Sequence, residues 1–217
     1  MGFLASRPLA WKRRHVASFV PLAPNFGAVS NSLTFTYGFD PGLPIPHDWM
    51  APLYTQLPSG ALQQPTPAAF PPEPPIVVTA RRNYTAADIE ALLEDMGHTQ
   101  AAIAYRRLSA RKQRSDQMPH PGVPIVLFTC SGSRTPRTLV FEGSLVPGRQ
   151  PRPPQVLYGD GDGLVNLESN LWAMKAWPGA KHEDFVGVDH FSVMWDRRVL
   201  DALSKHILGF KRPLKSK

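Results

Sequence analysis

The sequence predicts an α/β fold built on a parallel sheet with flanking helices. Three observations carry this expectation. Val123 to Thr129 is an apolar run of the kind expected of a strand buried on both faces. From Ile76 onward, short apolar strands and amphipathic helical stretches alternate along the chain. Two of those strands run into polar loops, at Gly159 to Gly163 and at Asp189-His190, and strand ends are where α/β proteins place their chemistry.

Taken in order, Val16 to Leu22 is a β-branched and apolar run stopped by Pro24, Asn25 and Gly27, so it reads as a strand entering a loop. Between Asn31 and Pro75 the prolines at 44, 46, 52, 58, 65 and 67 and the Pro71-Pro72-Glu73-Pro74-Pro75 run deny any long helix or central strand. This stretch is expected to be an irregular lid or linker, with Trp49, Met50, Leu53, Tyr54 and Phe70 offering apolar surface to a lipid interface. Thr85-Ala86-Ala87-Asp88 has the form of a capping box. Ile89, Leu92, Leu93 and Met96 then share a helical face, and Gly97 stands at the C′ position. After Val123 to Thr129, Cys130-Ser131-Gly132-Ser133 reads as a turn. Gln155 to Tyr158 is a short strand leading into Gly-Asp-Gly-Asp-Gly. Asn166 is placed to cap a helix bearing Leu167, Leu171 and Met174 on one face. Asp184 to Val188 is a last strand that delivers His190, and the helix after Asp196 is expected to bury Val199, Leu200, Leu203 and Ile207 before Gly209.

With 217 residues, 42% of them hydrophobic, the chain is long enough to bury a core, and no apolar run approaches the eighteen or so residues of a membrane span. The net charge of +7 is scattered over many small basic clusters, which reads as solvated surface rather than a nucleic-acid footprint, and the aromatics do not interleave with those clusters. A single cysteine excludes an internal disulfide and leaves the compartment open. No signal-peptide core precedes Pro21, because Trp11-Lys12-Arg13-Arg14-His15 interrupts it. Met1-Gly2-Phe3-Leu4-Ala5-Ser6 fits the loose myristoylation pattern, and Asn83-Tyr84-Thr85 is a glycosylation sequon whose Thr serves equally as a helix cap.

Asp162 and His190 are the candidate catalytic residues. A serine hydroxyl needs an imidazole to take its proton and a buried carboxylate to hold that imidazole in the right tautomer. Asp162 follows a short strand and is flanked by glycines that let the backbone turn tightly, and His190 follows the next strand in the required order. Asp160 is the reserve carboxylate. A calcium loop is the competing reading of Gly159 to Gly163, but Leu164 and Val165 break its ligand pattern. The remaining histidines have no partners at metal-ligand spacing, so neither a metal nor a cofactor is expected. Cys130 carries no cysteine-hydrolase signature. The chain contains no G-x-S-x-G elbow.

Several segments, in order, resemble one family: Trp11 to Val16 running into Phe19-Val20-Pro21-Leu22, Pro24-x-x-Gly27-x-Val29, Asn83-Tyr84-Thr85, Pro121-Gly122-Val123-Pro124 with Thr135-Pro136, Gly159 to Gly163 with Val165-Asn166, and Asp189-His190. Together they look like the C-terminal half of the lecithin:cholesterol acyltransferase family, and more closely its lysosomal phospholipase A2 and plant acyltransferase-like branch. That resemblance implies that residues 1–217 form one truncated α/β-hydrolase domain, with about 31–75 as the lid or linker and 211–217 as a basic tail. It makes Asp162 the triad acid and His190 the triad base, without their Ser. The implied partners are a phospholipid or other acyl lipid and a sterol or other acyl acceptor, with lipid-surface contact. A catalytically inactive lipid- or partner-binding protein is the alternative. The sequence departs from the family at Leu164, where a Thr is usual, and at Gly27-Ala28, where two glycines are usual.

Overall fold

A computed structural model describes residues 2–27, Trp49, 54–146 and 153–209. Pro44, Pro46, Met50, Pro52, Leu53 and the 211–217 tail, all named above, lie outside the described residues. Among the described residues, no helix is long and apolar enough to cross a membrane.

Two helices, α1 (Gly2–Ser6) and α2 (Leu9–His15), open the chain. The Val16 to Leu22 stretch then runs beside β3 (Val126–Ser131) in parallel, through bridges at Phe19–Ile125 and Leu22–Phe128 rather than as a continuous strand. Pro21 explains the interruption, since it has no amide to donate. The Ala23 amide donates to β3 and the Phe19 amide to Pro124 O just ahead of it, while Phe19 and Pro21 accept from β3. The main-chain groups of Val20 and Leu22 therefore point away from β3, and no described residue bonds them through its backbone. On its other side β3 pairs in parallel with β6 (Lys181–Val186).

The second sheet has the order β2-β1-β4-β5, from β1 (Val77–Thr79), β2 (Asn83–Tyr84), β4 (Thr135–Phe141) and β5 (Gln155–Gly159). Only β1 and β4 are parallel; β1–β2 and β4–β5 are antiparallel. This second sheet is thus mixed, which corrects the expectation of a mostly parallel sheet there, whereas the pairings of β3 are parallel as expected. The cause is β4, which doubles back after the Cys130 to Ser133 stretch and was hidden by Pro136 and Arg137, residues that break an apolar pattern; the register shifts at Pro136/Thr138.

The capping box forms as expected. Asp88 Oδ2 accepts from the Thr85 amide at 2.8 Å, and Ala87 donates to Thr85 Oγ1. The helix that follows ends at Gly97, at φ +83, and a second one begins at Thr99. A short helix α3 (Pro58–Leu62) precedes these, so they are α4 (Ile89–Asp95) and α5 (Thr99–Ala110). Their apolar faces close on Ile76, Val77, Leu139 and Phe141, forming a first core. A second core lies between β3, β6 and α8 (Arg197–Gly209), around Phe128, Phe185 and Val199. A third joins Phe26, Phe70, Ile125, Leu127, Trp172 and Trp177.

Three expectations are corrected here. The helix after Asp196 buries Val199 and Ala202 and leaves Leu200 and Ile207 exposed, because the inward stripe continues through Leu203 to His206, whose ring packs on Phe128 at 5.5 Å. The helix after Asn166 breaks at Leu171 into α6 (Leu167–Asn170) and α7 (Trp172–Ala176), so Trp172 and Ala173 face inward and Met174 is exposed. Asn166 does not cap it through its side chain; its amide instead donates to Pro136 O at 2.8 Å. Finally, Phe70 does not face lipid: it is 1% exposed in the third core, and Tyr54 is half-buried with its hydroxyl on Gln63. A local turn, in which Thr66 O accepts from the Phe70 amide, folds Phe70 inward despite the surrounding prolines. Trp49 is exposed.

Candidate functional site

The end of β5 and the end of β6 bring two loops together. Asp162 sits in the first, 1% exposed, with Gly163 beside it at φ +91. Its Oδ1 accepts the amides of Leu164 and Val165 at 3.0 and 2.6 Å, an Asx-type turn that fixes the side chain. Oδ2 remains for the second loop, where Nδ1 of His190 lies 2.8 Å away. The two loops touch again through the backbone, where the His190 amide donates to Asp162 O at 2.8 Å. The reserve carboxylate, Asp160, is exposed and turns elsewhere, accepting from the Gly132 and Gly161 amides at 2.7 Å each.

The pairing determines what the imidazole can do. An ionised carboxylate only accepts, so Nδ1 carries the proton, and in the neutral ring Nε2 keeps its lone pair. The His190 side chain is 28% exposed, and among the described residues no hydroxyl or thiol hydrogen-bonds its second nitrogen. An oriented, accessible imidazole of this kind is able to accept a proton from a group brought to it. Asp189 shapes the backbone around it. Its carboxylate takes the amides of Phe191 and Ser192 and the Ser192 hydroxyl, and these bonds hold it below the usual carboxylate range.

The nearby nucleophile candidates are occupied otherwise. Ser131 Oγ donates to Asp184 Oδ2 at 2.5 Å, and Thr129 Oγ1 donates to Asp184 Oδ1 at 2.5 Å. Cys130 is fully buried, and desolvation pushes its thiol up to about 12, so it is not a thiolate near neutrality. Among the described residues, no three His, Cys, Asp or Glu side chains are grouped to hold a metal ion.

Residues of β4 that sequence reasoning left out hold the Asp162 loop. Thr135 Oγ1 accepts the Gly163 amide at 2.9 Å, and Arg137 Nε donates to Glu168 Oε1 at 3.0 Å. The available signal was three polar side chains, Thr135, Arg137 and Thr138, ahead of the apolar Leu139-Val140-Phe141.

The chain is similar to "Lecithin-cholesterol acyltransferase-like 1" of Arabidopsis thaliana, 30% identical over 95% of this chain and 47% of that protein. It is 27% identical to the human "Lysosomal phospholipase A and acyltransferase" over 95% of this chain and 50% of that protein. Against the human "Phosphatidylcholine-sterol acyltransferase" it is 26% identical over 97% of this chain and 48% of that protein. The chain spans about half the length of the curated relatives it matches. No protein-family model matches it.

Proposed function

With the chain a relative, along nearly all its length, of the lecithin:cholesterol acyltransferase family, we propose that it carries the acid and base of a lipid acyl-transfer site. Asp162 holds the imidazole of His190, and His190 takes the proton of an attacking hydroxyl and returns it to the leaving group. The observation that carries this reading is the 2.8 Å contact between Asp162 Oδ2 and His190 Nδ1, with the second nitrogen left accessible. The substrate class is a phospholipid or other acyl lipid as donor, with a sterol, another alcohol or water as acceptor.

On this reading residues 1–217 are one partial α/β-hydrolase domain. The open side of Phe19 to Leu22 is where a further parallel strand adds, ending beside His190 and bearing the serine that these 217 residues do not hold in a G-x-S-x-G elbow. The absence of that elbow favours a second reading, a lipid- or partner-binding protein without turnover.

The test is a fusion of this chain to the half of the Arabidopsis relative that it does not match. Fatty-acid release from phosphatidylcholine should appear in the fusion and fall by about 10⁴ in Asp162→Asn, with a loss at least as large in His190→Ala. The unfused chain should release none above its His190→Ala variant. Full turnover in Asp162→Asn, with loss in Asp160→Asn, would reassign the carboxylate. A fusion without turnover that still binds vesicles, with or without His190, would favour the second reading.

A further inference from the structure

The loop that carries Asp162 fixes Oδ1 on its own amides at Leu164 and Val165, but its seat against the sheet is set from outside. Gly161 and Gly163 flank Asp162, and glycine leaves both neighbouring backbone turns free in the absence of outside contacts. Apart from those of His190, these contacts come from the turn between β3 and β4 and the first residues of β4, which meet the loop in step. The Gly132 amide donates to Asp160 Oδ1 at 2.7 Å, and the Ser133 amide to Gly161 O at 3.0 Å. Thr135 Oγ1 takes the Gly163 amide at 2.9 Å, Pro136 O takes Asn166 Nδ2 at 2.8 Å, and Arg137 pairs with Glu168. Five successive ties run along the two segments in the same direction.

Thr135 is the centre of this arrangement. Its hydroxyl has one proton, which it donates to Ser133 O at 3.1 Å, so the lone pair presented to the Gly163 amide has a fixed direction. Thr135 is fully buried, and its Oγ1 lies 2.6 Å from the place a Cβ on Gly161 would occupy. One hydroxyl thus holds the loop after Asp162 and leaves no room for a side chain before it.

We propose that Thr135 is a positioning residue for the Asp162–His190 pair, acting through the backbone of Gly161 and Gly163 and touching neither side chain of the pair. The proposal rests on the reading of Asp162 and His190 as an acid–base pair, but its test reads their contact directly and does not depend on turnover. It also explains why β4 opens with a polar side chain at a buried position.

The measurement is solvent exchange of the His190 Nδ1 proton, observed by NMR in the 217-residue chain and assigned by its disappearance in His190→Gln. In Thr135→Val, which keeps the shape and removes the acceptor, exchange should quicken about tenfold, the scale of one lost buried hydrogen bond. Thr135→Ser should restore the slow rate. Thr138→Val is the control, because Thr138 Oγ1 donates to Pro75 O at 2.5 Å from the same strand but does not touch the loop. If Thr135→Val does not fold, Thr135→Cys keeps the size with a weaker acceptor and should exchange at an intermediate rate. An unchanged rate in Thr135→Val or Thr135→Cys, or an equal acceleration in Thr138→Val, would overturn the proposal. Turnover that persists in the Asp162→Asn fusion, with exchange as expected here, would instead remove the catalytic reading and leave the positioning role standing.

Discussion

The two loops that meet at Asp162 and His190 are built in opposite ways. The first loop buries its aspartate, Asp162, and its bonds reach across to β4 and to the β3–β4 turn, roughly thirty residues away in the chain. The His190 loop is bonded mainly to itself, through Asp189 and Ser192, and beyond His190 it leaves Phe191, Met194 and Trp195 62%, 65% and 66% exposed. Its strong tie outward is to Asp162. Order therefore passes from the carboxylate to the imidazole. A perturbation of the Asp162 loop should be felt at both residues, whereas one in the His190 loop should stay local.

The largest effect is expected from Gly161→Ala. Its Cβ would stand 2.3 Å from Val165 O and 2.6 Å from Thr135 Oγ1, both part of the fixed loop. Overpacking of this kind costs about 3 kcal/mol or more, a fall in Tm of roughly ten degrees by circular dichroism. A melting curve unchanged from the parent would mean that the loop does not lie against β4 as described.

Next comes the contrast between Asp162→Ala and His190→Ala. The first strands the Leu164 and Val165 amides, and each stranded buried amide costs about 1–3 kcal/mol. The second leaves Asp162 Oδ2 without its partner but opens it to water where a partly exposed ring stood, and should cost less, about 1 kcal/mol. Denaturant midpoints would measure both, and equal losses would erase the asymmetry between the loops.

A smaller, pH-dependent effect is expected at Asp189. Its carboxyl is held below the usual value of 3.8 in the folded chain, chiefly by the Ser192 hydroxyl. A lowered carboxyl contributes stability that is fully present above the unfolded value and disappears as pH falls through the folded one. Asp189→Asn should accordingly flatten the loss of stability on acidification from about pH 5 to below 4. An identical acid profile would show that the loop's internal bonds do not bear on folding. The smallest change is expected from Trp195→Ser, within about 0.5 kcal/mol of the parent, since so exposed a ring buries little.

Where the sequence was informative, the signal was local. Thr85 with Asp88, and Gly97 at a positive φ, set the ends of α4 through contacts within a few residues, so the pattern could be read directly. The unbroken apolar run of β3 was legible because it is buried on both sides. β4 was not, because its polar residues are explained only by partners far along the chain, at Gly163, Glu168 and Pro75. Phe70 was misjudged for the same reason: proline density describes the backbone, while its burial depends on Ala69 and Phe70 packing with Phe26 and Trp172. At the site, chain order and strand ends singled out Asp162 and His190 and left Asp160 in reserve, although both aspartates have glycines on either side. What separates them is burial and which amides each carboxylate reaches, and that is decided by tertiary contacts.

The position of β3 also bears on the order in which the molecule assembles. The first core is closed by segments between Ile76 and Phe141, whereas β3 needs Phe19 to Leu22 from roughly a hundred residues upstream and β6 from well downstream. Closing such long loops delays their contacts relative to local ones. The unit of α4, α5, β1 and β4 should thus gain protection early in refolding, with the β3–β6 pairing and the meeting of Asp162 with His190 following it, an order that pulsed hydrogen exchange would reveal as separate phases. A chain arrested after the first stage would hold an organised β4 and no assembled acid–base pair.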